Sequence, residues 1–123
     1  MNDAVELPLH RLAHARTGDK GNRINVAVFC REPAFYPYLD EQLTEQAVWS
    51  VFEHRRPSRI VRHRVPNLSA FNFVIDDVLE GGVNNSLYLD RHGKGLSFLL
   101  LAMQVRVPRH CLGEALETVS ESI

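Results

Sequence analysis

The 123-residue sequence lacks the features that point to a membrane, a secretory route or nucleic acid. Its longest apolar run, Leu96 to Met103, is broken by Ser97 and is far shorter than the ~20 residues that a bilayer span needs. Its first residues, MNDAVELPLH, lack the basic and apolar regions of a signal peptide. The formal net charge is only −1, which gives no overall field to recruit nucleic acid. We therefore expect a cytoplasmic protein without membrane or nucleic-acid partners.

Cysteine and lysine are both scarce. Cys30 and Cys111 are isolated, and no C-x-x-C pattern indicates zinc or redox chemistry. Only two of the 14 basic residues are lysines, Lys20 and Lys94, and both lie beside glycines, in GDKG and HGKG. Either the genome favours arginine codons, or these two positions need a compact ammonium group. We expect neither a metal nor another cofactor.

The composition is that of one globular domain. Hydrophobic residues make up 45% of the chain and charged residues 24%, which argues against disorder. No repeat or linker divides the sequence. We expect a single domain over residues 1–123, with its core over about 7–108 and a C-terminal tail over 109–123.

The first half of the chain predicts a hairpin followed by helices. Residues 23–31 alternate between apolar and other side chains, which is typical of a strand with one buried face. With residues 7–15 they predict a β-hairpin, joined by a glycine-containing loop longer than two residues. Pro33 indicates a helix start, with Pro37 in the first turn, and Thr44 is a candidate cap of a second helix.

The second half predicts alternating strands and helices. Residues 59–65 indicate a strand, and 69–80 a helix that Ser69 caps and Gly81 ends, although FNFVI also fits the start of a strand. Then follow a strand over 85–90, a buried helix over 96–102 and a strand over 103–107. The order predicts an α+β sandwich, with an antiparallel-rich sheet and helices on one face.

The segment Gly18-Asp19-Lys20-Gly21-Asn22 is the first candidate site. Two glycines allow backbone N–H groups to form a concave anion site, to which Lys20 adds a charge. Asp19 would orient Lys20 or act as a base. The spacing is not that of a P-loop. A hairpin turn whose glycines have positive φ explains the same residues.

Histidines and arginines offer two further candidates. His10 and His14 would share a face of a helix, but on a strand they lie roughly 13 Å apart, so we expect no metal site. Five arginines cluster over the basic segment Arg55–Arg64: Arg55, Arg56, Arg59, Arg62 and Arg64. They either grip phosphates or form a solvated strand face that pairs with carboxylates, and we favour the second. Cys30 follows the apolar positions of its strand, so its thiol should be inert.

Several short motifs together resemble one protein family. They are ARTGDKG followed by Asn25, YPYL at 36–39, L-x-x-F-N-F-V at 68–74, GG at 81–82, S-L-x-L-D at 86–90 and GK at 93–94. In this order, over roughly residues 9–108, they resemble the small C-terminal domain of the acyclic terpene utilisation protein A (AtuA) family. The matching positions are Gly18, Asp19, Lys20, Gly21, Asn25, Asn72, Phe73, Gly81, Gly82, Asp90 and Lys94.

The resemblance implies a ferredoxin-like fold and an association with breakdown of acyclic terpenoids or branched acyl-CoA compounds. The family's large N-terminal domain is not in this sequence, so we expect a separate small subunit or a self-sufficient relative. The predicted ligand-binding residues are Gly18, Asp19, Lys20, Gly21, Asn22, Asn25, Asn72 and Lys94.

Two functional hypotheses remain open. In the first, which we favour, the chain is an accessory module that self-associates or docks on a large subunit of the AtuA type, with the GDKG segment receiving a carboxylate or phosphate, as in an acyl-CoA. The apolar Ala27 and Phe29 on the second face of strand 23–31 fit such an interface. In the alternative, the chain is a small hydratase or lyase acting on an acyl-CoA thioester. Asp19 would then be the base, and Lys20 would stabilise an enolate.

Overall fold

The computed structural model describes residues 4–20, 23–77 and 97–112, with positions 19 and 20 described by their backbone alone. The described strands are β1 (Ala4–Pro8), β2 (Ala13–Lys20), β3 (Arg23–Cys30), β4 (Arg59–Val65), β5 (Ala70–Asp76) and β6 (Gln104–Pro108). The helices are α1 (Tyr36–Gln42), α2 (Glu45–Val51) and the helical residues 97–101 and 109–112. Within these ranges no helix is both long and apolar enough to span a bilayer.

Four strands form an antiparallel sheet in the order β2-β3-β5-β4. Both β3 and β4 pair with β5 in antiparallel fashion, so they run parallel to each other and are joined by a crossover through α1 and α2. β1 and β6 form a separate antiparallel pair. Gln42 of α1 bonds this pair, since its side chain donates to the carbonyl of Arg106 at 2.6 Å and accepts from the same residue's N–H at 2.8 Å. The predicted α+β class is confirmed.

The core lies between the helices and one face of the sheet, here called the inner face. Alternate residues of the two central strands are buried there and face each other across the ladder: Ile24, Val26 and Val28 on β3 and Ile75, Phe73 and Phe71 on β5. Four buried side chains from α1, α2 and the residues that follow them complete the same cluster: Leu39, Leu43, Val48 and Phe52. Both helices cover the same face, as the sequence predicts.

The helix-start signals act as expected. Pro33 begins a 3-10 turn (Pro33–Phe35), and Pro37 lies in the first turn of α1, where its missing N–H costs no hydrogen bond. Thr44 caps α2, since its Oγ1 accepts from the N–H of Ala47 at 3.0 Å.

The helix predicted over 69–80 is wrong over its described part, residues 69–77, and the strand alternative holds over Ala70–Asp76. Ser69 has a φ of 50° and ends the 3-10 turn Pro66–Leu68, so it does not start a helix as predicted. Phe71 and Ile75 fit both the helical and the strand period. Pairing with β3 and β4 decides for the strand, because it bonds the peptide groups of β5 on both edges. The strand predicted over 85–90 and the helix stop at Gly81 lie outside the described residues.

The predicted hairpin forms with different bounds. Its first strand is Ala13–Lys20 rather than residues 7–15, and the ladder extends to the Lys20–Arg23 pair. Only residues 21 and 22 separate the strands, so the predicted longer loop is wrong.

The strand predicted over 103–107 is confirmed as β6, but it pairs with β1 and not with the main sheet. The helix at 97–101 is only partly buried, because Leu100 is 0% exposed but Phe98 is 69% exposed.

Two arginines of the basic segment bind helix α1. Nη1 of Arg62 donates to the carbonyls of Asp40 and Leu43 at 2.9 and 3.0 Å, which are orphan acceptors at the helix end. The carboxylate of Asp40 lies 3.1 Å from Nη2 of both Arg62 and Arg64. The predicted pairing of this segment with carboxylates is confirmed for these two residues, but Arg62 is largely buried against α1 and not on a solvated face.

Arg62→Ala should destabilise the fold more than Arg64→Ala. The Arg62 side chain is 19% exposed and bonds two helix carbonyls, whereas Arg64 is 53% exposed and contacts Asp40 alone. We expect a loss of about 2 kcal/mol in the free energy of unfolding for Arg62→Ala and of about 0.5 kcal/mol for Arg64→Ala. Urea unfolding of both variants measures the difference. Equal losses would show that the carbonyl bonds of Arg62 contribute nothing.

Candidate functional site

The candidate site lies on the second face of the main sheet, here called the outer face. Its residues alternate with the buried ones along each strand and share rows across the ladder. The rows are His14–Phe29–Ala70–Val65, Arg16–Ala27–Asn72–His63, Gly18–Asn25–Val74–Val61 and position 20–Arg23–Asp76–Arg59. The described side chains in these rows are exposed or half-buried, apart from Ala70. Polar and apolar groups are therefore mixed on an accessible surface.

Three of the predicted ligand-binding residues meet at the centre of this face. Gly18, Asn25 and Asn72 come from the neighbouring strands β2, β3 and β5, and Gly18 is paired with Asn25. The Asn25 side chain donates through Nδ2 to Oδ1 of Asn72 at 2.5 Å. A Cβ on Gly18 would lie 3.3 Å from Oδ1 of Asn25, so the glycine leaves room for this amide. The two amides retain further donors and acceptors for a ligand.

A cationic depression of about 270 Å³ adjoins the amide pair on the outer face. It is lined by Arg23, Arg59, Val61, His63, Val74 and Asp76. Nε of Arg23 lies 2.5 Å from one oxygen of Asp76, and its Nη2 lies 3.3 Å from the other. The hydrogen bond from Arg23 lowers the pKa of Asp76, and the charge of Arg59 lowers it further. Two arginines thus accompany one carboxylate in this row, which leaves a net positive charge for an anion.

The GDKG segment continues the ladder where the sequence predicted a loop. Gly18, Asp19 and Lys20 are the last residues of β2, so the predicted concave series of N–H groups does not form over them. Position 19 pairs with Ile24 of the core, and position 20 with Arg23 of the outer face. These two positions therefore belong to rows of opposite faces. Gly21, Asn22 and Lys94 lie outside the described residues.

Sequence reasoning did not place any of the polar neighbours of the amide pair on this face: Arg16, Arg23, His63 and Asp76 were missed, and Arg59 was considered only within the basic segment. Their signal was strand periodicity. Arg23 precedes Asn25 by two residues and Asp76 follows Asn72 by four, so each shares a strand face with its asparagine. Placing the two strands side by side required the cross-strand register, which the sequence does not display.

The remaining chemical candidates are Cys30, His14 and His10. Burial raises the pKa of the Cys30 thiol to about 11, in keeping with the inert thiol that the sequence predicts. The ring of His14 stacks on Phe29 with centroids 5.3 Å apart. His10 lies in a 3-10 turn, Leu9–Arg11. Within the described ranges no group of three or more His, Cys, Asp or Glu residues could hold a metal ion.

Comparison with known protein families gives a match over most of the chain. A family model described as the AtuA ferredoxin-like domain matches residues 7–106. No curated protein and no solved structure matches.

Arg23→Gln should raise the pKa of Asp76 toward its ordinary value. The folded-state pKa of Asp76 is lowered, so its pairing stabilises the fold above the unfolded-state pKa and is lost as the pH falls through the folded-state value. Titration of the Asp76 carboxyl ¹³C resonance measures the change, with Arg16→Gln as a control on the same face. An unchanged Asp76 titration in Arg23→Gln would show that the ion pair does not form in solution.

Proposed function

The chain belongs to the AtuA ferredoxin-like domain family, and on that premise we propose that it is an accessory binding module in the breakdown of acyclic terpenoids or branched acyl-CoA compounds. It holds a carboxylate or phosphate group on the outer face of its sheet. The convergence of Gly18, Asn25 and Asn72 beside a cationic depression is the observation that carries this proposal. Its activity in the cell then depends on a large partner subunit.

The charges of the outer face favour an anion. Among the described residues that line the depression, Arg23 and Arg59 outnumber the one acidic residue, Asp76. Strand position 20, a lysine, belongs to the same row. Guanidinium groups bind carboxylates and phosphates through charge-assisted hydrogen bonds, and an ammonium adds a compact charge. The neighbouring amides supply neutral N–H donors to orient a carbonyl or carboxylate. An acyl-CoA thioester carries both kinds of group.

The geometry supports binding more than turnover. Acid–base catalysis requires a base and a stabilising group that reach the same reacting atoms. Asp19 and Lys20 are consecutive residues of β2 whose positions fall in rows of opposite faces. Holding an anion needs no such pair, because the amides and arginines of the outer face suffice.

Isovaleryl-CoA should stabilise the wild-type chain against heat, and Asn72→Ala and Lys20→Ala should each reduce that effect. A ligand present at ~100 times its dissociation constant adds ~2.7 kcal/mol to the folded state. Gly18→Ala should act likewise, since its Cβ would lie 3.3 Å from Oδ1 of Asn25 and displace that amide. Thermal unfolding with isovaleryl-CoA, isovalerate and free coenzyme A measures the shift and separates the thioester, carboxylate and phosphate contributions.

The control variant is Arg106→Ala, which removes an exposed arginine of β6 and should keep the full ligand effect. Absence of stabilisation with all three compounds would overturn the proposed anion site. Chromatography of the same mixtures after incubation detects any product, and conversion of the thioester by the isolated chain would favour a small enzyme over a module.

A further inference from the structure

A groove follows the edge of β2 that faces away from β3. It consists of two neighbouring clefts of about 480 and 490 Å³ that share His14, Phe98 and Leu101. One wall is formed by consecutive residues 13–17 of β2, and the other by side chains from residues 97–102. We call it the β2 groove. Each cleft has the volume of a typical ligand site, and its long shape along one strand suits an extended chain.

The backbone of β2 offers hydrogen bonds to this groove. The carbonyl of Leu12 accepts from the N–H of Arg31 at 2.8 Å, and these residues continue the register of β2 with β3. In an antiparallel pair, residues whose peptide groups bond the neighbouring strand alternate with residues whose peptide groups point away from it. Leu12 bonds the β3 side, so the peptide groups of Ala13, Ala15 and Thr17 point away from β3 and face the groove. No strand within residues 4–20, 23–77 and 97–112 pairs with this edge. Such an edge is a template for one more strand.

The side chains of the groove combine apolar surface with positive charge. Phe98 is 69% exposed, which is unusual for a phenylalanine, and Leu101 and Ala13 extend its apolar wall. The titratable residues among those that line the two clefts are Arg16, Arg31, His10 and His14. The described lining contains no aspartate or glutamate. A complementary occupant therefore carries acidic and apolar side chains in alternation.

We propose that the β2 groove binds an extended acidic segment of the partner subunit, which adds to the sheet as a strand beside β2. Its apolar side chains pack against Phe98 and Leu101, and its carboxylates face the arginines. This inference rests on the accessory-module part of the proposed function. A second copy of β2 is a poorer occupant, because it would bring His14 and Arg16 to a groove that is already cationic.

Fluorescence anisotropy with a short, dye-labelled peptide of alternating glutamate and valine tests the proposal. We expect saturable binding, and a lysine–valine peptide should bind at least about tenfold more weakly because of charge repulsion. A glutamate–valine peptide N-methylated at every residue keeps its side chains but loses its N–H donors. It should also bind at least about tenfold more weakly if a strand is added.

Matched protein variants locate the binding. Phe98→Glu places a negative charge in the groove and should abolish binding of the acidic peptide. Leu68→Glu changes another exposed apolar residue, 62% exposed in the turn before β5, and should leave binding intact. Both positions are on the surface, so both variants should fold, which far-ultraviolet circular dichroism checks.

The outcomes separate this inference from the anion site. Stabilisation by isovaleryl-CoA that persists in Phe98→Glu while the peptide no longer binds supports two separate sites. Peptide binding without any acyl-CoA effect overturns the anion site alone. Failure of the acidic peptide, or equal binding of the N-methylated peptide, overturns the groove proposal. Sedimentation equilibrium that shows a dimer broken by Phe98→Glu, without peptide binding, assigns the groove to a second copy instead.

Discussion

The in-register pairing of β2, β3, β5 and β4 is the constraint on which the rest of the structure depends. Side chains alternate between faces with a period of two, so one register fixes the core and the outer face together. Val26 opposite Phe73 and Val28 opposite Phe71 are all fully buried. A slip of one residue would move them to solvent. The same register brings Gly18, Asn25 and Asn72 together, so the candidate site is secured by the packing of the core behind it.

The two faces of the sheet contribute unequally to stability. On the inner face, Arg62 bonds α1 and its guanidinium lies 5.4 Å from the ring centroid of Phe71. On the outer face, the polar contacts are the Asn25–Asn72 amide pair and the Arg23–Asp76 ion pair. These accessible groups add little to folding, and in the proposed function they are the groups that bind the anion. Changes to the outer face should therefore alter the proposed binding without unfolding the chain.

The two edges of the sheet also differ, in whether the described residues cover them. At the β4 edge, the carboxylate of Glu45 accepts the N–H of Arg62 at 2.8 Å, which blocks the addition of another strand there. At the β2 edge, the described residues leave a groove bordered by Phe98. The β4 edge is thus closed by Glu45 of α2, whereas the described strands leave the β2 edge unpaired.

Local patterns in the sequence predicted much of this fold, and non-local pairing decided the rest. Alternation predicted strand 23–31, and Thr44 predicted the start of α2, because both signals lie within a few residues. Residues 70–76 fit both a helix and a strand in the sequence, because Phe71, Val74 and Ile75 also form a helical stripe, and pairing with β3 and β4 decides for the strand. Glycines in GDKG suggested a loop, although the ladder continues to Lys20. The family motifs identified Asn25 and Asn72, but only the register could add Arg23 and Asp76.

The most direct test of the central claim is a ¹H–¹⁵N spectrum of the chain during titration with isovaleryl-CoA. The side-chain amide resonances of Asn25 and Asn72 should shift together and saturate at one ligand concentration. The amide of Asn67, which lies in the turn before β5, should not move. Unchanged Asn25 and Asn72 resonances at saturating ligand, or shifts confined to residues of the core and helices, would contradict a binding site on the outer face.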